Sequence, residues 1–131
     1  MREFKLQIVT PDGVAFDGMA ESILVRTDDG DVQVLAGHVD YMASLGIGRA
    51  KLIVGGETRL ASASGGFISV SGGEVKLVCV TFEFREDIDL DRAKRARDNA
   101  ERLIREAKND KELLLAEAKM KRAISRIDVA S

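Results

Sequence analysis

The apolar residues of this chain change period at one junction, Glu83-Phe-Arg-Glu-Asp-Ile-Asp-Leu-Asp-Arg-Ala93. Before it they alternate with polar residues, and all twelve glycines and the one proline lie on that side. Beyond it the apolar residues return every three or four positions. A period of 2 places side chains on alternate faces of a strand, whereas a period near 3.6 lines one face of a helix. The chain must therefore be β-structured first and α-helical afterwards, with domains expected at 1–87 and 88–131.

In the first part Phe4, Leu6 and Ile8 alternate with Lys5 and Gln7, as in a half-buried strand. Pro11-Asp12-Gly13 reverses the chain, because proline presets φ and glycine accepts φ > 0. Further strands are expected at 14–16, 22–27 and 32–35, the last after a polar loop Asp28-Asp29-Gly30-Asp31. Gly55-Gly56 links strands at 49–54 and 57–64, and Ser71-Gly72-Gly73-Glu74 links 67–70 to 75–84, two hairpin signals. Short strands at this spacing, with no helical crossover between them, predict a mainly antiparallel sandwich or flattened barrel of about eight to ten strands.

In the second part Asp89 is placed to cap a helix over 90–108, and Asn109-Asp110 to reverse the chain into a second helix over 111–127. Leu90, Ala93, Ala96, Ala100, Leu103, Ile104 and Ala107 form one stripe. Leu113, Ala116, Met120, Ala123, Ile124 and Ile127 form its partner. Acid-before-base pairs at i,i+4 (Asp91/Arg95, Asp98/Arg102, Glu101/Arg105, Glu117/Lys121) are expected to support each helix by a few tenths of a kcal/mol. Alanine contacts bury little area, well under 1 kcal/mol apiece at about 25 cal/mol per Å2, so the antiparallel pairing is expected to be marginal. That leaves open a hairpin that detaches from the sandwich and one that is a fixed two-helix appendage.

Charge and composition exclude several function classes. Residues 1–87 carry a net charge of −5 and residues 88–131 a net of +3, which favours docking of one on the other. So small a basic excess, without stacking aromatics, is a poor nucleic-acid footprint. No apolar run approaches the ~20 residues of a membrane span, and the N-terminus lacks the apolar block of a signal peptide. The lone Cys79 forms no internal disulfide and reads as a buried small hydrophobe.

The only histidine, His38, has no nucleophile elbow beside it and cannot form a His-rich metal site, so it reads as a loop or contact residue. Gly46-Ile-Gly48 lacks the third glycine and the helix of a dinucleotide loop, and no Walker A sequence occurs. No catalytic residue, metal or required cofactor is expected.

Four segments, Val9-Thr-Pro-Asp-Gly13, Gly30-Asp-Val-Gln-Val-Leu-Ala-Gly-His38, Ser64-Gly-Gly-Phe67 and Ile88-Asp-Leu-Asp-Arg-Ala93, fall in order on this architecture. Together they resemble the epsilon subunit of bacterial F-type ATP synthases over essentially the whole chain. The resemblance implies a non-catalytic rotor subunit of a proton- or sodium-translocating synthase, peripheral on the cytoplasmic face of the cell membrane. Its implied partners are the gamma subunit, contacted at His38, and the c-ring, faced by Asp28, Asp29, Gly30 and Asp31. The helical hairpin would lie folded on the sandwich or extend to the alpha and beta subunits of the catalytic head, where it inhibits ATP hydrolysis.

Ile88, Asp89, Arg92 and Ala93 match the family's nucleotide motif, and Arg122 and Arg126 match arginines that approach the phosphates. Glu83 is a further candidate. ATP would then be a regulatory ligand that stabilises the folded hairpin. Asn99 stands where nucleotide-binding members carry another arginine, and Ala36 and Asp40 replace prolines beside Gly-His. A stand-alone nucleotide-sensing module is the alternative that the sequence also allows.

Overall fold

The computed structural model describes residues 2–131 and contains ten strands, one 3-10 turn and two α-helices. The strands are β1 (Phe4–Thr10), β2 (Gly13–Ala20), β3 (Ser22–Thr27), β4 (Gly30–Leu35), β5 (Tyr41–Ser44), β6 (Ile47–Val54), β7 (Glu57–Ser64), β8 (Phe67–Ser71), β9 (Glu74–Val78) and β10 (Thr81–Phe84). They form two five-stranded sheets, ordered β2-β1-β9-β8-β5 (sheet A) and β10-β7-β6-β3-β4 (sheet B). The sandwich followed by a helical hairpin is as the sequence predicts. Every pairing is antiparallel except β1 with β9.

Between the sheets, Leu6, Ile8, Ile23, Val25, Val34, Leu52, Ile68 and Leu77 are fully buried. Each such side chain contributes roughly 1.5–3 kcal/mol of hydrophobic free energy. The alternation seen in the sequence is the inward face of each strand, since neighbours such as Lys5, Lys51 and Lys76 point outward. Cys79 lies in the same core, and burial pushes its thiol pKa up to about 12, leaving it protonated and unreactive.

The expected single strand over 75–84 is two strands in different sheets. Cys79 donates its N–H to Val9 O in sheet A at 2.9 Å, and Val80 donates to Ser64 O in sheet B at 2.9 Å. Successive amides thus bond to opposite layers, turning a sandwich corner. Gly66 makes this corner possible: at φ +87°, a Cβ built on it would stand 1.7 Å from Val78 O. β5, a strand that the sequence pattern does not signal, pairs along β8 and completes sheet A. The anticipated polar loop at 28–31 is shorter, because Gly30 and Asp31 already belong to β4 and pair with Thr27 and Arg26.

The 3-10 turn (Arg85–Asp87) leads to α1 (Leu90–Glu106) and α2 (Asp110–Ala130). Asp89 caps α1, its Oδ1 accepting Arg92 N at 3.0 Å, and Asn109 Oδ1 likewise accepts Glu112 N at 2.8 Å to start α2. The first helix ends two residues earlier than expected. Glu112 reaches back to the Lys108 amide at 2.9 Å and holds the connector non-helical. Ala93 and Ala100 meet Ala116 and Ala123 as buried seam residues, but Ala96 is exposed. Ile124 is also exposed, at 44%, because α2 rather than α1 lies on the sandwich, over β6 and β7.

None of the four anticipated i,i+4 pairs forms. Arg102 instead bridges Glu106 at 2.8 Å and Asn99 at 2.7 Å, and Asp98 is taken by Arg97. Exposed charges have several partners within reach at similar energy, so spacing alone does not choose among them. No helix among the described residues is long and apolar enough to cross a membrane.

Candidate functional site

The junction builds a hollow of about 310 Å3 between β10, the start of α1 and the last turns of α2. Its lining includes Glu83, Ile88, Asp89, Arg92, Ala93 and Arg126, six of the seven residues that the nucleotide motif implied, together with Asp87 and Ala96. Arg122 sits one turn earlier on α2, half-buried, and does not line it. Asn99 lies one turn beyond Ala96 on α1 and is hydrogen-bonded to Arg102.

Glu83 Oε1 accepts from Arg126 Nε at 2.5 Å, the ion pair that joins the helical hairpin to the sandwich. The floor of the junction is fixed by Arg59, whose guanidinium stacks 3.7 Å over the Phe84 ring and donates to Glu86 at 2.7 Å. That hydrogen bond holds the Glu86 carboxyl below its usual pKa. Next to Arg126 along α2, Ser125 shares a buried hydrogen bond of 2.7 Å with Ser62 of β7. Sequence reasoning missed this serine pair. Nothing in the local sequence signals it, since the two residues are 63 positions apart.

The second candidate surface is the tip at Asp28. Thr27 Oγ1 donates to Gly30 O at 2.6 Å and accepts Asp29 N at 3.2 Å, so the two-residue turn is internally braced. Asp31 is neutralised by Arg26 Nε at 2.6 Å, leaving Asp28 and Asp29 as the charged tip. Beside it a groove of about 940 Å3 runs between the β3 and β6 ends and α2, flanked by Lys121, Ile124 and Asp128.

The third surface is the outer face of sheet A. Cross-strand partners Val14, Val9, Val78 and Phe67 form an apolar row across four strands, and Met42 and Val39 extend the exposed apolar area toward His38. No helix covers this row, in contrast to β6 and β7 of sheet B. His38 itself is half-buried in the β4–β5 loop, its Nδ1 2.7 Å from Val39 O and its ring edge-on to Tyr41. No serine or cysteine hydroxyl or thiol is bonded to it.

A ten-strand sandwich joined to an antiparallel helical pair, with a charged hollow at the junction, defines a two-part protein whose second helix rests on one sheet. The same two parts are recognised by family models. The beta-sandwich domain of the ATP synthase Delta/Epsilon chain matches residues 3–85, and the long alpha-helix domain of that chain matches residues 86–131. The chain belongs to the ATP synthase delta/epsilon chain family.

Among curated relatives, the ATP synthase epsilon chain of Bacillus velezensis is 38% identical over 130 residues, covering 99% of this chain and 98% of its own. That of Ruminococcus albus is 36% identical over 132 residues, covering 100% and 98%. Two solved structures share the fold. One is a chain of the Euglena gracilis mitochondrial ATP synthase (OSCP/F1/c-ring), with TM-score 0.81, 23% identity, and coverage of 98% and 81%. The other is from the central stalk and c-ring of the Tetrahymena thermophila enzyme, with TM-score 0.72, 13% identity, and coverage of 99% and 98%.

Proposed function

We propose that this chain is a non-catalytic subunit of the central stalk of a bacterial F-type ATP synthase, coupling the catalytic head to the c-ring. Its hairpin restrains ATP hydrolysis by leaving the sandwich for the alpha and beta subunits. The apolar outer face of sheet A, rimmed by the His38 loop, would seat the gamma subunit. An uncovered row of valine and phenylalanine is costly in water and gains most from burial against a partner. Asp28 and Asp29 would meet basic loops of the c-ring, and the assembly would sit peripherally on the cytoplasmic membrane face.

The observation that carries the regulatory part is the polar attachment of α2 to sheet B. A serine pair, one ion pair and the small side chains beside them hold it, with Val129 the one large apolar side chain of α2 that is fully buried. Such contacts release at little cost because water replaces their hydrogen bonds. ATP bound at the junction hollow would hold the hairpin down. Arg92 and Arg126 supply guanidiniums for phosphate oxygens, and Asp89 and Glu83 supply acceptors.

Ser62 and Ser125 offer a direct test. Their hydroxyls are 2.7 Å apart, which brings cysteines at the two positions within reach of a disulfide when the hairpin is seated. With Ser62→Cys/Ser125→Cys in a reconstituted catalytic head, the reduced protein is expected to inhibit ATP hydrolysis and the oxidised protein to relieve that inhibition. Equal inhibition in both redox states would sink the detachable-hairpin reading. Failure of either form to bind gamma would sink the central-stalk reading and return the chain to a stand-alone sensor.

A further inference from the structure

Three carboxylates (Glu83, Asp87 and Asp89) and two guanidiniums (Arg92 and Arg126) line the junction hollow. An excess of negative charge is a poor receptor for a phosphate chain, and the pairing within the hollow sharpens the difficulty. Arg126 is held by Glu83 at 2.5 Å, with side chains only 26% and 36% exposed, so water screens the pair less than it would at an open surface. Asp89 is engaged with the Arg92 amide. Among the described residues the Arg92 side chain has neither hydrogen bond nor ion pair, which leaves it as the available cation of the lining.

We propose that Glu83 is a built-in anion that competes with ligand phosphate for Arg126, so that one carboxylate both latches the ligand-free hairpin and screens which anions enter. The ligand part of this inference rests on the nucleotide reading above; the latch part does not. A phosphate approaching Arg126 must displace Glu83. That carboxylate is anchored on β10, however, and stays beside the incoming charge. An inorganic phosphate chain gains Arg126 only by leaving an unpaired carboxylate next to itself. A nucleoside triphosphate has a base and a sugar to offset that repulsion. Glu83 is therefore a specificity-determining residue, selecting against bare phosphates.

Titration calorimetry of the full chain with sodium tripolyphosphate and, separately, with ATP tests this in wild type and Glu83→Gln. Wild type is expected to ignore tripolyphosphate, whereas Glu83→Gln binds it at least about tenfold more tightly, the value of one charge-assisted hydrogen bond regained. Adding Arg126→Gln should abolish the gain. Equal tripolyphosphate affinity in wild type and Glu83→Gln would overturn the proposal even if ATP binds. A tripolyphosphate gain without ATP binding by either protein would uphold the gate and remove only the nucleotide reading.

The latch has its own readout without any ligand. In the Ser62→Cys/Ser125→Cys background, Glu83→Gln is expected to slow disulfide closure several-fold by lowering the folded population. An unchanged rate overturns the latch.

Discussion

The sandwich and the hairpin are held by different kinds of contact. The sandwich buries leucines, isoleucines and valines completely between two sheets. The hairpin buries Ala93, Ala100, Ala116 and Ala123 along its seam and rests on the sandwich largely through Ser62, Ser125, Glu83 and Arg126. Close-packed large side chains make a cooperative unit that resists partial opening. Methyl contacts and exchangeable hydrogen bonds hold the hairpin less tightly, which is what the proposed detachment requires. One chain thus joins a densely packed platform to an element with few large buried side chains, the kind of contact from which moving parts are drawn.

This contrast can be broken most severely at Gly66. With Val78 O 1.7 Å from the position of a Cβ, Gly66→Ala is expected to cost roughly 3–5 kcal/mol through backbone strain and clash. Thermal unfolding followed on the β signal should show the sandwich melting at a markedly lower temperature. An unaltered melting temperature would mean that the corner can rearrange.

A smaller, selective effect is expected at Asp89. Asp89→Ala removes the α1 cap and should cost about 1 kcal/mol. The loss should appear as helical circular dichroism and amide protection in 90–106, with protection of the Leu6 and Ile68 strands unchanged. Equal loss of protection in both regions would show that hairpin and sandwich unfold as one unit, and the comparison would fail.

The smallest effect is expected on the exposed helix surface. Glu101→Ala removes a charge that forms no ion pair with Arg105, and stability should change by less than about 0.5 kcal/mol. A larger loss would identify a contact to the hairpin that the ligand-free chain does not make.

The outward and inward strand faces, the Asp89 cap, the reversal at Asn109 and the junction were legible in the sequence because they depend on neighbours a few residues apart. Asp89 caps α1 as expected, and the residues of Ile88-Asp-Leu-Asp-Arg-Ala93 expected at the site gather in one hollow with Glu83 and Arg126. The Ser62–Ser125 contact was not legible. It joins residues 63 positions apart, and nothing local marks either serine as buried. The failed i,i+4 pairs mark the same limit from the other side: correct spacing did not decide which exposed charge Arg102 chose.

By itself, the sequence determined that an alternating, glycine-punctuated β region gives way to capped amphipathic helices at 83–93. Side-chain period and glycine content fix local backbone geometry without reference to the rest of the molecule. Only the tertiary structure decided that residues 75–84 divide between two sheets, that α2 rather than α1 rests on the sandwich, and that Glu83 holds Arg126. Each of those outcomes depends on which distant surfaces meet. That choice is made by packing and by competition among partners of similar energy, not by the spacing of residues along the chain.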